Sequence, residues 1–145
     1  MTARPERGLL DTSTVILLGR LDDPERLPRT PLIATITLAE LSAGPLLADE
    51  PSERAARQAH LQQAETDFEP VVFDEAAARA FATVASDLRA ADRKTRARAL
   101  DALIAAVAIA NGLPLYTVNP DDFAGIRGLD LRPVEHPDRR QSSHR

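Results

Sequence analysis

The chain has 145 residues, 43% hydrophobic and 28% charged, which suits one soluble globular domain with a single substantial core. It holds no cysteine, which excludes disulfides, thiolate metal sites and cysteine nucleophiles and makes the cytoplasm the simplest expected location. The net charge of −4 argues against a generally basic nucleic-acid surface, and no apolar stretch approaches membrane-spanning length.

Residues 8–10, Gly-Leu-Leu, read as a buried strand running into Asp11, and residues 14–21 as a helix. Residues 32–36 read as a second strand, followed by a helix from about Leu38 that Gly44-Pro45 should break or kink. Residues 52–67 are a polar, Ala-rich helix with Ser52 at its N-cap, and residues 68–73 a third strand. Asp74 then caps a helix with Ala78, Phe81, Ala82, Ala85 and Leu88 on one face. Residues 95–110 form an apolar helix stopped by a left-handed turn at Asn111-Gly112. Residues 113–118 and 129–134 read as a fourth and a fifth strand. There is no repeat and no linker, so residues 1–137 are taken as one domain and residues 138–145 as a disordered basic tail. Strands separated by helices predict an α/β fold with a parallel sheet covered on both faces.

In such a sheet, ligands bind beyond the carboxyl ends of the strands, where connections diverge. Asp11 follows the first strand, Glu40 the second and Asp122 the fourth, so all three project from one rim. Each also has a local alternative. Asp11 is a preferred cap for a helix starting near Thr12 or Ser13. Thr37-Leu38-Ala39-Glu40 matches a capping box. Asn119-Pro120-Asp121-Asp122 suits a helix start, with acids at the positive end of the dipole. Asp101 is harder to assign locally. It opens a helix that is apolar all round and shares a face with Ile104, Ala105 and Ala108. An ionised carboxylate buried there needs a cation or hydrogen bonds, unless it caps a shorter helix or pairs with Arg96 or Arg98.

Clustered carboxylates repel and raise one another's pKa until a cation neutralises them. Hard oxygen donors select Mg²⁺ or Mn²⁺ rather than zinc. A metal so held can activate water for displacement at phosphorus. The hydroxyls of Thr12, Ser13 and Thr117 are placed to orient a ligand carboxylate, or else to satisfy backbone groups. Arg93, Lys94, Arg96 and Arg98 form a basic cluster just before Asp101, which is either a solvated face or a grip on the phosphates of a ligand. With four Phe, one Tyr and no Trp, aromatic platforms for bases are scarce.

The segments Leu9-Leu10-Asp11-Thr12-Ser13, Thr35-Ile36-Thr37-Leu38-Ala39-Glu40-Leu41, Asp101-Ala102-Leu103-Ile104-Ala105-Ala106 and Thr117-Val118-Asn119-Pro120-Asp121-Asp122-Phe123 resemble, in order, the motifs of PIN-domain ribonucleases. The likeness is greatest to VapC-type toxins of bacterial toxin–antitoxin pairs and runs from about Gly8 to Pro137. It implies a three-layer α/β/α fold with a central parallel sheet of four to five strands. It further implies Mg²⁺- or Mn²⁺-dependent cleavage of RNA, a homodimer and an inhibitory VapB-type antitoxin. It carries Asp11, Glu40 and Asp101 onto the family's first three acidic positions. Many relatives have aspartate where this chain has Asn119. Asp122 is the available carboxylate here, and Asn119 either ligates through water or only caps. Relatives often carry Gly-Arg and then Ser or Thr before the third acid, where this chain has Asp92-Arg93-Lys94-Thr95.

The alternative is a non-catalytic α/β protein-binding or signalling module whose acids are helix caps. A haloacid-dehalogenase-like phosphatase would want an aspartate where Ser13 stands. A phosphorylated receiver domain would want a lysine after a late strand, whereas Lys94, the only lysine, precedes a helix. Leu38, Leu41, Leu46 and Leu47 are candidate dimer-interface positions or, equally, core.

Overall fold

The computed structural model describes residues 4–92 and 98–142. In chain order they form β1 (Arg7–Leu10), α1 (Thr12–Ile16), β2 (Thr30–Ala34), α2 (Thr35–Leu47), α3 (Pro51–Asp67), β3 (Pro70–Val71), α4 (Glu75–Ala90), α5 (Ala99–Ala110), β4 (Leu115–Thr117), β5 (Leu131–Pro133) and α6 (Pro137–Ser142). The five strands pair in parallel in the order β3-β2-β1-β4-β5.

Register decides the layering. Leu9 lies beside Leu32 and Leu115, and Leu10 beside Ile33 and Tyr116. Successive strand residues face opposite sides of a sheet. The first trio accordingly packs with Ala77, Val84 and Leu88 of α4 and with Ile104 and Val107 of α5. The second packs with Val15 of α1, Leu41 of α2 and Ala64 of α3. The result is the expected three-layer α/β/α arrangement. Because β1 is central and the chain crosses to β2 on one side and to β4 on the other, connections diverge between β1 and β4.

Several local expectations are corrected. The first helix is only α1, followed by a 3₁₀ turn at Leu18–Arg20. β2 ends at Ala34, and α2 starts at once from an Ala34 cap with no side-chain bond, so Thr37 lies inside the helix and the capping box does not form. Gly44-Pro45 does not end α2, which runs on to Leu47. Pro45 is buried, and Arg57 of α3 donates to the Gly44 carbonyl at 2.9 Å, so packing on α3 carries the helix past its missing donor. The cap of α3 is Glu50 rather than Ser52, with Pro51 at the first helical position. β3 is only two residues long and lies at the sheet edge, where Pro70, lacking an N–H, is tolerated. Asp74 does cap α4, accepting from the Ala77 amide at 3.0 Å. The buried face of α4 is Ala77, Val84, Asp87 and Leu88, while Ala78 and Ala82 are exposed. Gly112, at φ +61°, ends α5 as expected. Beyond Pro137 the chain is helical through Ser142 where a loose tail was expected, and Asp138 meets Arg20 at 2.5 Å. Leu41 is core, whereas Leu46 and Leu47 are exposed.

Asp87 went unnoticed in the sequence. It is buried, and it accepts from the Arg127 backbone N–H at 2.9 Å and from Arg127 Nε at 3.0 Å. These two hydrogen bonds, the backbone one first, hold its carboxyl below the usual range. A depressed folded pKa contributes stability that is complete above the unfolded value and lost as pH falls through the folded one. Asp87→Asn is therefore expected to melt below wild type at pH 7, with the gap narrowing below about pH 4 in thermal scans. A gap that stays constant with pH would refute this account.

Gly8 is the second such constraint. A Cβ there would stand 2.6 Å from Tyr116 Cε1 and 2.9 Å from Pro28 Cγ. Gly8→Ala should cost about 1–3 kcal/mol, read as a lower urea midpoint at unchanged slope.

Candidate active site

Asp11 stands at the point where connections diverge. Its backbone N–H donates to the Tyr116 carbonyl at 3.2 Å, extending the β1–β4 ladder by one residue. The residue is 3% exposed, and its side chain caps α1, accepting from the Thr14 amide at 3.2 Å. The hydroxyls of Thr14, Ser13 (2.9 Å) and Thr117 (2.8 Å) also donate to it. Capping therefore accounts for one contact of four, and the others come from both sides of the β1–β4 seam. The Thr14 hydroxyl in turn accepts from the Val118 amide at 3.1 Å, and the Thr117 hydroxyl from the Asn119 amide at 2.9 Å. Thr14 was missed in the sequence; its signal was a hydroxyl three residues past a capping aspartate.

Glu40 lies in the second turn of α2. Thr12 donates to its Oε1 at 2.7 Å and shares a 3.0 Å hydrogen bond with the hydroxyl of the buried Thr37. Thr37 thus spends its hydroxyl across α1–α2 instead of capping. Burial raises the Glu40 pKa; the Thr12 bond opposes the rise and the charge of Asp11 adds to it.

Asp101 occupies the third position of α5, above the buried run that includes Ile104, Ala105 and Ala108. Its place in the first turn leaves the side chain 30% exposed, less buried than the sequence pattern suggested. Its pKa is raised to about 6, first by desolvation, then by the charges of Asp122, Asp11 and Glu40, with Arg98 opposing. Asp122 sits on the 3₁₀ turn Pro120–Phe123 after β4. Arg98 Nη1 donates to Asp122 Oδ1 at 2.8 Å and stands 3.9 Å from Asp101 Oδ2. Asn119 precedes that turn but makes no side-chain capping bond. Arg93, Lys94 and Arg96 lie outside the described residues.

The structure thus brings the negative charges of Asp11, Glu40, Asp101 and Asp122 to bear on one another. Among the described residues, no three acidic or imidazole side chains stand in a ready-made metal cluster as now oriented. The donor chemistry nonetheless fits a hard divalent cation. The oxygens are carboxylates, they come from four separate segments, and the charges of three of them add to the rise that burial begins in the Asp101 pKa.

An open parallel α/β domain with acidic side chains converging on its crossover rim is the class this geometry defines. The PIN-domain family model matches residues 9–129, and the chain belongs to the PIN-domain family. Ribonuclease VapC5 of Mycobacterium tuberculosis is 38% identical over 130 residues, covering 88% of this chain and 93% of that protein. Ribonuclease VapC4 of the same organism is 39% identical over 127 residues, covering 86% and 95%. A crystal structure of VapBC-5, a member of the VapBC family of toxin–antitoxin systems from Mycobacterium tuberculosis, matches with a TM-score of 0.75 at 33% identity. That match covers 90% of this chain and all of the other.

The raised pKa of Asp101 has a measurable consequence in metal-free protein. Its folded value lies above its unfolded one, so the folded state binds the extra proton between about pH 4 and 6 and loses stability as pH rises through that window. In EDTA, Asp101→Asn should melt progressively higher relative to wild type between pH 4 and 7. A difference independent of pH would count against the carboxylate convergence.

Proposed function

We propose that this chain is a divalent-metal-dependent endoribonuclease and the toxin of a two-protein toxin–antitoxin pair. It works as a cytoplasmic homodimer on RNA and is silenced by a VapB-type antitoxin. The observation that carries the reading is the gathering of Asp11, Glu40, Asp101 and Asp122 from separate segments at one rim, where the other three charges add to the effect of burial in raising the Asp101 pKa. The ribonuclease names of both mycobacterial relatives support RNA as substrate, and the VapBC assembly supports the antitoxin partner. No helix among the described residues is long and apolar enough to cross a membrane.

Asp11, Asp101, Glu40 and Asp122 are the residues that would hold Mg²⁺ or Mn²⁺. Such an ion supplies charge neutralisation and a more acidic water. The protein's own groups do the rest. The hydroxyls of Thr14, Ser13 and Thr117 hold the Asp11 carboxylate in one orientation. Thr12 does the same for Glu40, whose raised pKa suits it to accept a proton from the attacking water. The water oxygen bonds to phosphorus, the bond to the departing ribose oxygen breaks, and that oxygen takes up a proton. Arg98, with the neighbouring basic residues Arg93, Lys94 and Arg96, supplies positive charge for the RNA backbone.

A second reading leaves Asp11 as a helix cap in a non-catalytic binding module, and the local satisfaction of its oxygens favours it. One assay separates the two. RNA should be cut in Mg²⁺ or Mn²⁺, not in EDTA, and again on metal add-back. Asp11→Asn and Asp101→Asn should lose cleavage while keeping a cooperative melt. EDTA-resistant cutting, or full activity in either variant, defeats the proposal.

A further inference from the structure

We propose that Arg98 and a divalent cation compete for the same carboxylates, Arg98 serving as an internal counter-cation in the metal-free site and giving way when the ion binds. The inference rests on the metal-dependent reading above. Asp11 and Glu40 have hydroxyl partners, but Asp101 and Asp122 share a different neighbour. A single nitrogen, Arg98 Nη1, stands 2.8 Å from Asp122 Oδ1 and 3.9 Å from Asp101 Oδ2. The contact to Asp122 crosses 24 residues and joins the start of α5 to the turn after β4, so it spans the site rather than one helical turn.

Arg98 is held through its backbone at the start of α5, while its side chain reaches across to Asp122. It holds the cap position of α5 at φ −109° and ψ 18°, and its carbonyl accepts from the Ala102 amide at 2.8 Å. Its side chain makes no capping bond. An ion held by Asp101 and Asp122 would place two positive charges beside this guanidinium and take over the oxygen it now binds. The side chain is 38% exposed, so it can turn into water without stranding a buried charge. There it remains at the rim, where its planar donors match a phosphate. Coupling is reciprocal: if the ion weakens the hold of Arg98 on Asp122, Arg98 weakens ion binding by the same factor.

The test uses the full chain, wild type and the variants Arg98→Gln and Arg98→Lys. Mn²⁺ binding is measured by calorimetry and thermal melts are run in EDTA. Arg98→Gln should bind Mn²⁺ about ten-fold tighter and melt lower in EDTA at low salt, with Arg98→Lys close to wild type in both. In unmutated protein the Arg98 Nε–H resonance should shift on Mg²⁺ addition, a readout independent of how the variants fold. Unchanged or weaker Mn²⁺ binding by Arg98→Gln, or an unmoved resonance at saturating Mg²⁺, overturns the competition and leaves the nuclease reading standing. Folded proteins none of which binds Mn²⁺ overturn the metal-dependent reading, and this proposal with it.

Discussion

A carboxylate withdrawn from water must find its hydrogen bonds inside the protein, and Asp11 finds them on both sides of the seam between β1 and β4. Its amide continues the ladder, its side chain starts α1, and the hydroxyls that hold it are themselves held by the amides of Val118 and Asn119. The position is over-determined. Disturbing it would disturb the strand, the helix and the turn together, which is why the charge at this point is so closely oriented.

The remaining acids are placed by the same architecture but bound more loosely. Glu40 rides on α2 behind Thr12, Asp101 on the first turn of α5, and Asp122 on the turn after β4. The hydrogen bond between the buried Thr37 and the half-buried Thr12 shows how a residue suited to capping is put to another use when its helix begins three residues early. The site therefore runs from a nearly dry aspartate to partly exposed carboxylates that share one guanidinium. Rigid orientation at one end and exchangeable charge at the other suit the proposed role of the site in holding a cation.

Much of the fold can be read along the chain because apolar runs mark the strands and the all-apolar helix has nowhere to go but the interior. The helix boundaries were less legible. Gly44-Pro45 should interrupt α2, and only the packing of α3, with Arg57 on the Gly44 carbonyl, lets it continue. No pattern in the sequence singles out Asp87, and nothing nearby announces its partner Arg127, 40 residues on.

By itself the sequence determined which residue types could meet at the rim: acids placed just after strands, hydroxyls beside the first, and no cysteine to compete as ligand. It also determined the parallel three-layer plan, because the period of the apolar residues changes from element to element. Only the tertiary structure decided how each charge is met, for that depends on approach across separate elements. The sheet order brings Thr117 to Asp11, and the docking of α5 against the turn after β4 brings Arg98 to Asp122. Local pattern governs what a segment becomes, while the surroundings of a carboxylate are set by distances in space that no one-dimensional spacing encodes.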